Sequence, residues 1–315
     1  MKIAVIGAGA VGGYYGGMLS KAGFDVTFIA RGKHLEAMKH SGLHIHSLQD
    51  SFIAQRTFTN DFNQIKEADL LLFTVKSTET KATAEMIHPL LKKGAAILTL
   101  QNGVDNEEIL INTLGSDRIV SGSSYLSASV EQPGVIRRHS NLEKIIFGGL
   151  SETSSHHIES FVHVLQLAKI DFEVSSSIIE KKWEKLLWNA TFNPLTAASL
   201  ASVGDVLDKE SLRRTAEAVL AEVVSVAGGL GIKLNESWVK QIFPLSEVAR
   251  NHKTSMLQDL EKGKKMEVES ICGYIIKKGK QLGIKTPVLE TIYTILCSIN
   301  DLMESKNTEK AYPSN

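Results

Sequence analysis

The stretch IAVIGAGAVG at residues 3–12 decides the fold of the first half of the chain. It opens with a short run of apolar residues typical of a buried strand and passes into glycines in the pattern G-x-G-x-x-G. The pattern of residues 10–22 then indicates a helix. This order predicts a dinucleotide-binding unit, because the glycines allow a tight turn, close approach of a pyrophosphate and close packing of helix on strand.

The turn itself supplies the predicted phosphate contacts. A helix that begins here points its first N–H groups and the positive end of its dipole at an anion. The alternative interpretation is a glycine-rich turn with no ligand. The predicted cofactor-binding residues of the turn are Gly7, Ala8, Gly9, Ala10, Val11 and Gly12.

Further strands and helices alternate after the turn. Apolar runs predict strands at 26–29, 69–75 and 95–100, and helical patterns follow at 78–91 and 106–114. Strands that alternate with helices predict a parallel sheet. The segments 119–130 and 143–147 flank the turn signal QPG at 132–134, which favours a pair of strands that can be antiparallel. A helix at 155–168 and a last strand at 171–174 are predicted to follow.

Helical periodicity dominates after about residue 175, with segments at 178–193, 211–227, 236–243 and 269–282. The predicted fold is therefore α/β. A Rossmann-type domain with a mostly parallel sheet occupies residues 1–174, an all-helical domain occupies residues 175–303, and residues 304–315 form a frayed tail.

Composition limits the classes of function. The 315 residues suggest two domains, and 35 basic residues balance 35 acidic ones, which argues against a nucleic-acid partner. The two cysteines lack the spacing of a zinc site or a disulfide framework, so no metal is expected. Without a membrane-length apolar run or a signal peptide, we expect a cytoplasmic protein with no membrane partner.

Arg31 stands after the second strand, where an NAD site usually places an acidic residue for the ribose 2′-hydroxyl. A guanidinium grips a 2′-phosphate in bidentate fashion, whereas a carboxylate repels it. The sequence therefore predicts NADP(H) rather than NAD(H) as the cofactor. The alternative is a solvated surface arginine.

Two other strand ends carry polar residues. Lys76 follows the strand at 69–75 and could meet a phosphate or a ribose, since ligands of open α/β sheets bind beyond the carboxyl ends of the strands. Asn102 follows the next strand and could position the nicotinamide ribose or the substrate. Asn102-Gly103 could equally be only a turn dipeptide.

The first long helix of the second half carries Lys185, Asn189 and Asn193 at i, i+4 and i+8, which places them on one face. Its other residues are largely apolar, and Pro194 is expected to end or kink it. A solvated stripe remains the alternative. Aligned polar residues on a buried helix need partners, and we expect a ligand between the two domains to supply them.

Taken together, these features resemble the ketopantoate reductase (2-dehydropantoate 2-reductase) family over nearly the whole chain. The motifs that carry the resemblance are the glycine turn, Arg31, VK at 75–76, QNG at 101–103, WEKLLWN at 183–189 running into NPLTA at 193–197, SMLQD at 255–259, MEVE at 266–269 and GIKTP at 283–287.

The resemblance implies NADPH-dependent reduction of 2-dehydropantoate to pantoate, a step toward pantothenate and coenzyme A. Lys185 would donate the proton, with Asn189, Asn193 and Ser255 on the substrate. The resemblance also implies a cofactor lined by Lys76, Asn102 and Ala128, with Glu267 near both cofactor and substrate and Asn102 able to contact either. A homodimer is compatible with this interpretation.

The sequence departs from the family pattern at three positions in its second half. Val203 and Cys272 replace a common asparagine each, and Met266 replaces a common threonine. These departures leave open an NADPH-dependent reductase of another branched 2-oxo acid, or an opine- or hydroxy-acid-type dehydrogenase. A non-catalytic NADPH-binding protein and a flavoprotein are the less favoured alternatives.

Overall fold

The strand that precedes the glycine turn lies inside a ten-stranded sheet in the computed structural model, which describes residues 1–48 and 50–311, with side chains as far as 305. The strands are β1 (Lys2–Ile6), β2 (Asp25–Ile29), β3 (Leu43–His46), β4 (Ser51–Ala54), β5 (Thr57–Thr59), β6 (Leu70–Phe73), β7 (Ala96–Thr99), β8 (Ile119–Gln132), β9 (Val135–Gly149) and β10 (Phe172–Val174).

The helices flank the sheet in the first half and follow one another in the second half. They are α1 (Ala10–Lys21), α2 (Gly32–Ser41), α3 (Thr80–Ile87), α4 (Asn106–Leu114), α5 (Glu152–Ser155), α6 (Ile158–Leu167), α7 (Ile178–Ser199), α8 (Val203–Asp208), α9 (Glu210–Gly229), α10 (Glu236–Ser246), α11 (Ser255–Glu261), α12 (Tyr274–Leu282) and α13 (Pro287–Ala311).

The strand order β4-β3-β9-β8-β7-β6-β1-β2-β5, with β10 beside β9, makes the sheet mostly parallel, as predicted. β1 pairs in parallel with β2 on one side and β6 on the other, while β8 and β9 form the antiparallel hairpin. Ile3 and Val5 pack in one apolar cluster and Ala4 and Ile6 in another. Because alternate residues of a strand point to opposite faces, both faces of β1 are buried, which explains its continuous apolar run.

The segment from Gly32 to Thr59 carries α2, β3, β4 and β5, none of which the sequence analysis predicted. The three strands have four, four and three residues. Strands this short give too few alternations for a period of two to be recognised. They extend the sheet at its two edges.

The chain divides into two compact units, Met1–Lys181 and Lys182–Asn315. The division lies later than the predicted boundary between residues 174 and 175. The difference arises because β10 pairs with β9 and Ser175 N donates to Phe147 O at 2.8 Å, so the chain stays bonded to the sheet up to the start of α7.

Of the two effects expected of Pro194, an end or a kink of α7, only the end is contradicted. Pro194 does not end α7, which continues to Ser199, and the buried residues that follow the proline, such as Leu195 and Ala197, hold this last part of the helix in the core. α13 extends to Ala311, and Glu304 pairs with Lys265 at 2.6 Å, while fraying of the tail from residue 304 stays a prediction. The end of the predicted tail, 312–315, lies outside the described residues.

In the described part of the second unit every regular element is helical, in agreement with the predicted domain type. No described helix of either unit is both long and apolar enough to span a bilayer.

Candidate active site

The turn between β1 and α1 can be built only with glycine at two of its positions. Gly7 has φ +98°, and a Cβ there would lie 2.8 Å from Val75 N. A Cβ on Gly12 would lie 2.2 Å from Thr74 Oγ1, whose hydroxyl donates to Gly7 O at 2.8 Å. The turn is therefore packed tightly against the end of β6 on one side.

The other side of the same turn is open. A Cβ on Gly9 would meet no atom within 4 Å. Gly9 is the N-cap of α1, where no side chain caps the helix and no acidic residue stands in the first turn. An open backbone at the positive end of a helix suits an anion, so this turn fits the pyrophosphate of a dinucleotide. The three glycines and their neighbours Ala8, Ala10 and Val11 thus lie where the sequence predicted them, in the turn from strand β1 into helix α1.

His34, on α2, ties this turn to the β8–β9 hairpin. Gly134 N donates to His34 Nδ1 at 3.0 Å, and Nε2 lies 2.9 Å from Ala8 O. Since Nδ1 accepts a hydrogen bond, the proton of a neutral ring is on Nε2, which donates to Ala8. No local sequence pattern predicts this role of His34, because Ala8 and Gly134 lie 26 and 100 positions away from it.

Arg31 lies at the N-cap of α2, and its side chain is 79% exposed. Arg31 Nη2 donates to Glu79 Oε1 at 2.8 Å, although Glu79 follows a different strand, β6. The predicted 2′-phosphate residue is therefore accessible and already faces a carboxylate. Glu79 was not among the predicted site residues.

A buried polar network positions Lys76 and Asn102 at the ends of β6 and β7. Gln101 Nε2 donates to Val75 O at 3.0 Å and to Thr80 Oγ1 at 2.7 Å, and Thr80 Oγ1 donates to Asn106 Oδ1 at 2.7 Å. Asn106 Nδ2 then donates to Asn102 O at 2.8 Å. The backbone at Asn102 and next to Lys76 is thus held by the side chains of Gln101 and Asn106. The sequence motifs did not predict this role for either side chain.

Ala128, the remaining predicted cofactor residue of the first unit, lies on β8 opposite Arg138 of β9. The hairpin register shifts between Leu126 and Ala128, so the strand is irregular at this point. Ala128 is partly buried. Its contact with a cofactor remains a prediction.

The polar face of α7 is present in the second unit as the spacing predicted. Asn189 is 7% exposed and Asn193 1% exposed, while Lys185 is partly buried. Among the described residues, no donor reaches the buried Oδ1 of Asn193. A buried amide oxygen without a donor costs free energy, which indicates that a ligand or water fills this place.

The electrostatic surroundings of Lys185 favour release of its proton. Its pKa is lowered to about 8, chiefly by burial and also by the neighbouring Lys182 cation, while the Glu267 carboxylate acts in the opposite direction. Lys182 itself is only 4% exposed and lies three residues before Lys185 on α7. An ammonium with this pKa can donate a proton near neutral pH.

Ser255 is exposed at the first position of α11, directly after the buried N-cap Thr254. The hydroxyls of Thr254 and Thr196 lie 2.7 Å apart, and Thr196 Oγ1 also donates to Asn193 O at 3.1 Å. These bonds join the end of α7 to the start of α11. Asn193 and Ser255 are thereby held on connected elements of the second unit.

Glu267 is partly buried in the second unit, and its charge acts on Lys185. Its expected place near both cofactor and substrate stays a prediction. A π-helical turn, Glu269–Gly273, begins two residues later. The three residues that depart from the family pattern, Val203, Met266 and Cys272, are all buried, with exposures of 0%, 1% and 0%.

Comparison with known proteins matches both units. The family model described as ketopantoate reductase PanE/ApbA covers residues 3–152, and the model of its C-terminal part covers residues 177–300. The chain belongs to the ketopantoate reductase family. It is therefore an oxidoreductase of that family, with the Rossmann-like and helical parts that the sequence predicted.

Individual relatives agree with this assignment. The 2-dehydropantoate 2-reductase of Archaeoglobus fulgidus is 31% identical over 295 residues, which cover 94% of this chain and 96% of the relative. A PanE/ApbA family ketopantoate reductase from Ralstonia eutropha superimposes with a TM-score of 0.91 at 31% identity, covering 96% and 100% of the two chains. A D-mandelate dehydrogenase solved with NADH and anilino(oxo)acetate is 23% identical with a TM-score of 0.89, covers 96% and 100%, and shares the fold.

Proposed function

We propose that this ketopantoate reductase family member reduces 2-dehydropantoate to pantoate with NADPH. The observation that carries the proposal is the polar face of α7, where a lysine with a pKa of about 8 lies one and two turns before two buried asparagines. Such a face is costly without a polar ligand. The relatives named 2-dehydropantoate 2-reductase support the choice of substrate.

In this proposal the cofactor binds to residues of the first unit. The open side of Gly9 would take the pyrophosphate, and the exposed guanidinium of Arg31 would bind the 2′-phosphate. Lys76 would add a second cation, and Asn102 and Ala128 would line the rest of the site. The bound nicotinamide supplies the hydride, which is the chemistry that the chain itself lacks.

In the same proposal, residues of the second unit bind the substrate and donate the proton. Addition of a hydride to the ketone carbon leaves an alkoxide, and Lys185 gives that oxygen the proton from its Nζ. Solvent then returns a proton to the neutral amine. The amides of Asn189 and Asn193 and the Ser255 hydroxyl would orient the substrate, while Glu267 would accept a hydrogen bond from its hydroxyl.

A second candidate is reduction of another branched 2-oxo acid. It is favoured by Val203, which is fully buried where many family members carry a substrate-binding asparagine. Loss of that amide would weaken discrimination for a hydroxyl on the substrate. The D-mandelate dehydrogenase fold neighbour shows that a related architecture occurs in an enzyme with a different name and ligand.

The test is a comparison of kcat/KM in an NADPH-oxidation assay. The panel contains 2-dehydropantoate, the same acid without its hydroxyl, and phenylglyoxylate. The proposal expects 2-dehydropantoate to be the best substrate by roughly tenfold or more. A higher kcat/KM for either of the other acids would favour the second candidate. If NADPH binds but none of the three acids is reduced, the protein binds the nucleotide without catalysing this reaction.

A further inference from the structure

Arg31 and Glu79 meet across the glycine turn. Arg31 follows β2 and Glu79 follows β6, the two strands that pair with β1 on either side, so the turn after β1 lies between them. Their side chains nevertheless approach to 2.8 Å between Nη2 and Oε1. The carboxyl ends of these parallel strands share one sheet edge, where dinucleotides bind.

The pair is accessible and therefore weak. The side chain of Arg31 is 79% exposed and that of Glu79 37% exposed. Exposed ion pairs of this kind contribute little to stability, because water screens both charges. A ligand can displace such a pair at small cost, which suits a binding residue better than a structural one.

A carboxylate at the position of Glu79 would act in opposite directions on the binding of the two nicotinamide cofactors. A 2′-phosphate on Arg31 would compete with the Glu79 carboxylate for the same guanidinium and would be repelled by it. A free ribose 2′-hydroxyl could donate a hydrogen bond to the carboxylate, as it does to the acidic residue of an NAD site. The chain thus carries both kinds of recognition group, each on a different strand end.

We propose that Glu79 is a second specificity-determining residue of the nucleotide pocket, which lowers the preference for a 2′-phosphate that Arg31 creates. The inference rests on the proposed role of Arg31 in the function above. It predicts that the pocket discriminates less between NADPH and NADH than Arg31 alone would allow.

The experiment measures binding of two nucleotide fragments by calorimetry, without substrate or turnover. The fragments are adenosine 2′,5′-bisphosphate and adenosine 5′-monophosphate, which differ only in the 2′-phosphate. The variants are Glu79→Gln, Arg31→Ala and the matched control Glu85→Gln, which removes an equal charge from an exposed glutamate on α3. The ratio of the two dissociation constants is the readout, because a general change of the fold moves both in the same direction.

The expected result for Glu79→Gln is a shift of about twofold to fivefold in that ratio toward the bisphosphate, the size typical of an exposed charge pair. Glu85→Gln should leave the ratio unchanged. An unchanged ratio in Glu79→Gln, or an equal shift in the control, overturns the proposal for Glu79. If Arg31 does not bind the 2′-phosphate, Arg31→Ala will bind the bisphosphate as tightly as the unmodified protein does. That result separates a failure of the proposed role of Arg31 from a failure of the role of Glu79.

Discussion

Asn300 of α13 holds both backbone polar groups of Met266. Its Oδ1 accepts from Met266 N at 3.0 Å, and its Nδ2 donates to Met266 O at 3.2 Å. Asn300 is 7% exposed, so water does not substitute readily for these bonds. Because Glu267 is the next residue, these two bonds, a clamp on Met266, fix the backbone just before the carboxylate whose charge acts on Lys185.

Replacement of Asn300 by leucine should therefore destabilise the second unit. Two buried backbone groups would lose their partners, at about 1–3 kcal/mol each. The free energy of unfolding by urea should fall by about 2–4 kcal/mol, while Ser298→Ala, an exposed change on the same helix, should leave it nearly unchanged. Equal stability of the two variants would mean that the clamp contributes nothing.

Because the pKa of Lys185 is lowered in the folded chain, its charged form lowers the free energy of unfolding. A neutral residue at this position should remove that cost. Between pH 8 and its ordinary value of 10.5 the unfolded chain holds more protons than the folded chain, so stability rises with pH there and the full penalty applies below about pH 8. Lys185→Met should raise the free energy of unfolding at pH 7 by about 1–3 kcal/mol. Most of that gain should vanish at about pH 10, and a gain that does not depend on pH would contradict this account.

Lys182 should control the pH at which turnover is lost. Its cation lowers the pKa of Lys185, so a neutral methionine at position 182 should raise that pKa and move the alkaline limb of kcat to higher pH. Lys181→Met is the control, since Lys181 is not among the groups that shift Lys185. If the alkaline limb of kcat moves to lower pH, or moves equally in both variants, Lys182 does not set the pKa of Lys185.

The glycine turn predicts opposite outcomes for two similar substitutions. Gly12→Ala would place a methyl group 2.2 Å from Thr74 Oγ1 and 2.4 Å from Gly7 O, and should destabilise the first unit by about 2 kcal/mol or more. Gly9→Ala meets nothing within 4 Å, so stability should persist. Its methyl group would project into the proposed pyrophosphate site, and NADPH affinity should drop about tenfold or more. Normal NADPH affinity in Gly9→Ala would show that the pyrophosphate does not bind at this turn.

Local patterns predicted the parts of the fold and site that depend on neighbours in sequence. The glycine turn and the face of α7 follow from spacings of two to eight residues, which a period or a motif reveals. The bond between Arg31 and Glu79 joins residues 48 positions apart, and the clamp of Asn300 on Met266 spans 34 positions. Neither leaves a periodic signal, so only the folded chain brings these partners together.

The course of α7 beyond Pro194 shows the same limit. The missing N–H of proline favours an end to the helix, yet the buried residues on both sides, such as Phe192 and Leu195, keep it helical. Tertiary packing outweighs the local preference here. The cytoplasmic location and the homodimer stay predictions from the sequence.

The most direct test of the proposed reductase is the turnover of Lys185→Ala with 2-dehydropantoate, measured beside the binding of NADPH. Loss of a positioned acid should lower kcat by roughly two to four orders of magnitude, with NADPH affinity nearly unchanged. Lys240→Ala, an exposed change on α10, is the control and should retain full turnover. Near-normal kcat in Lys185→Ala would contradict the account, because the proton would then come from another group.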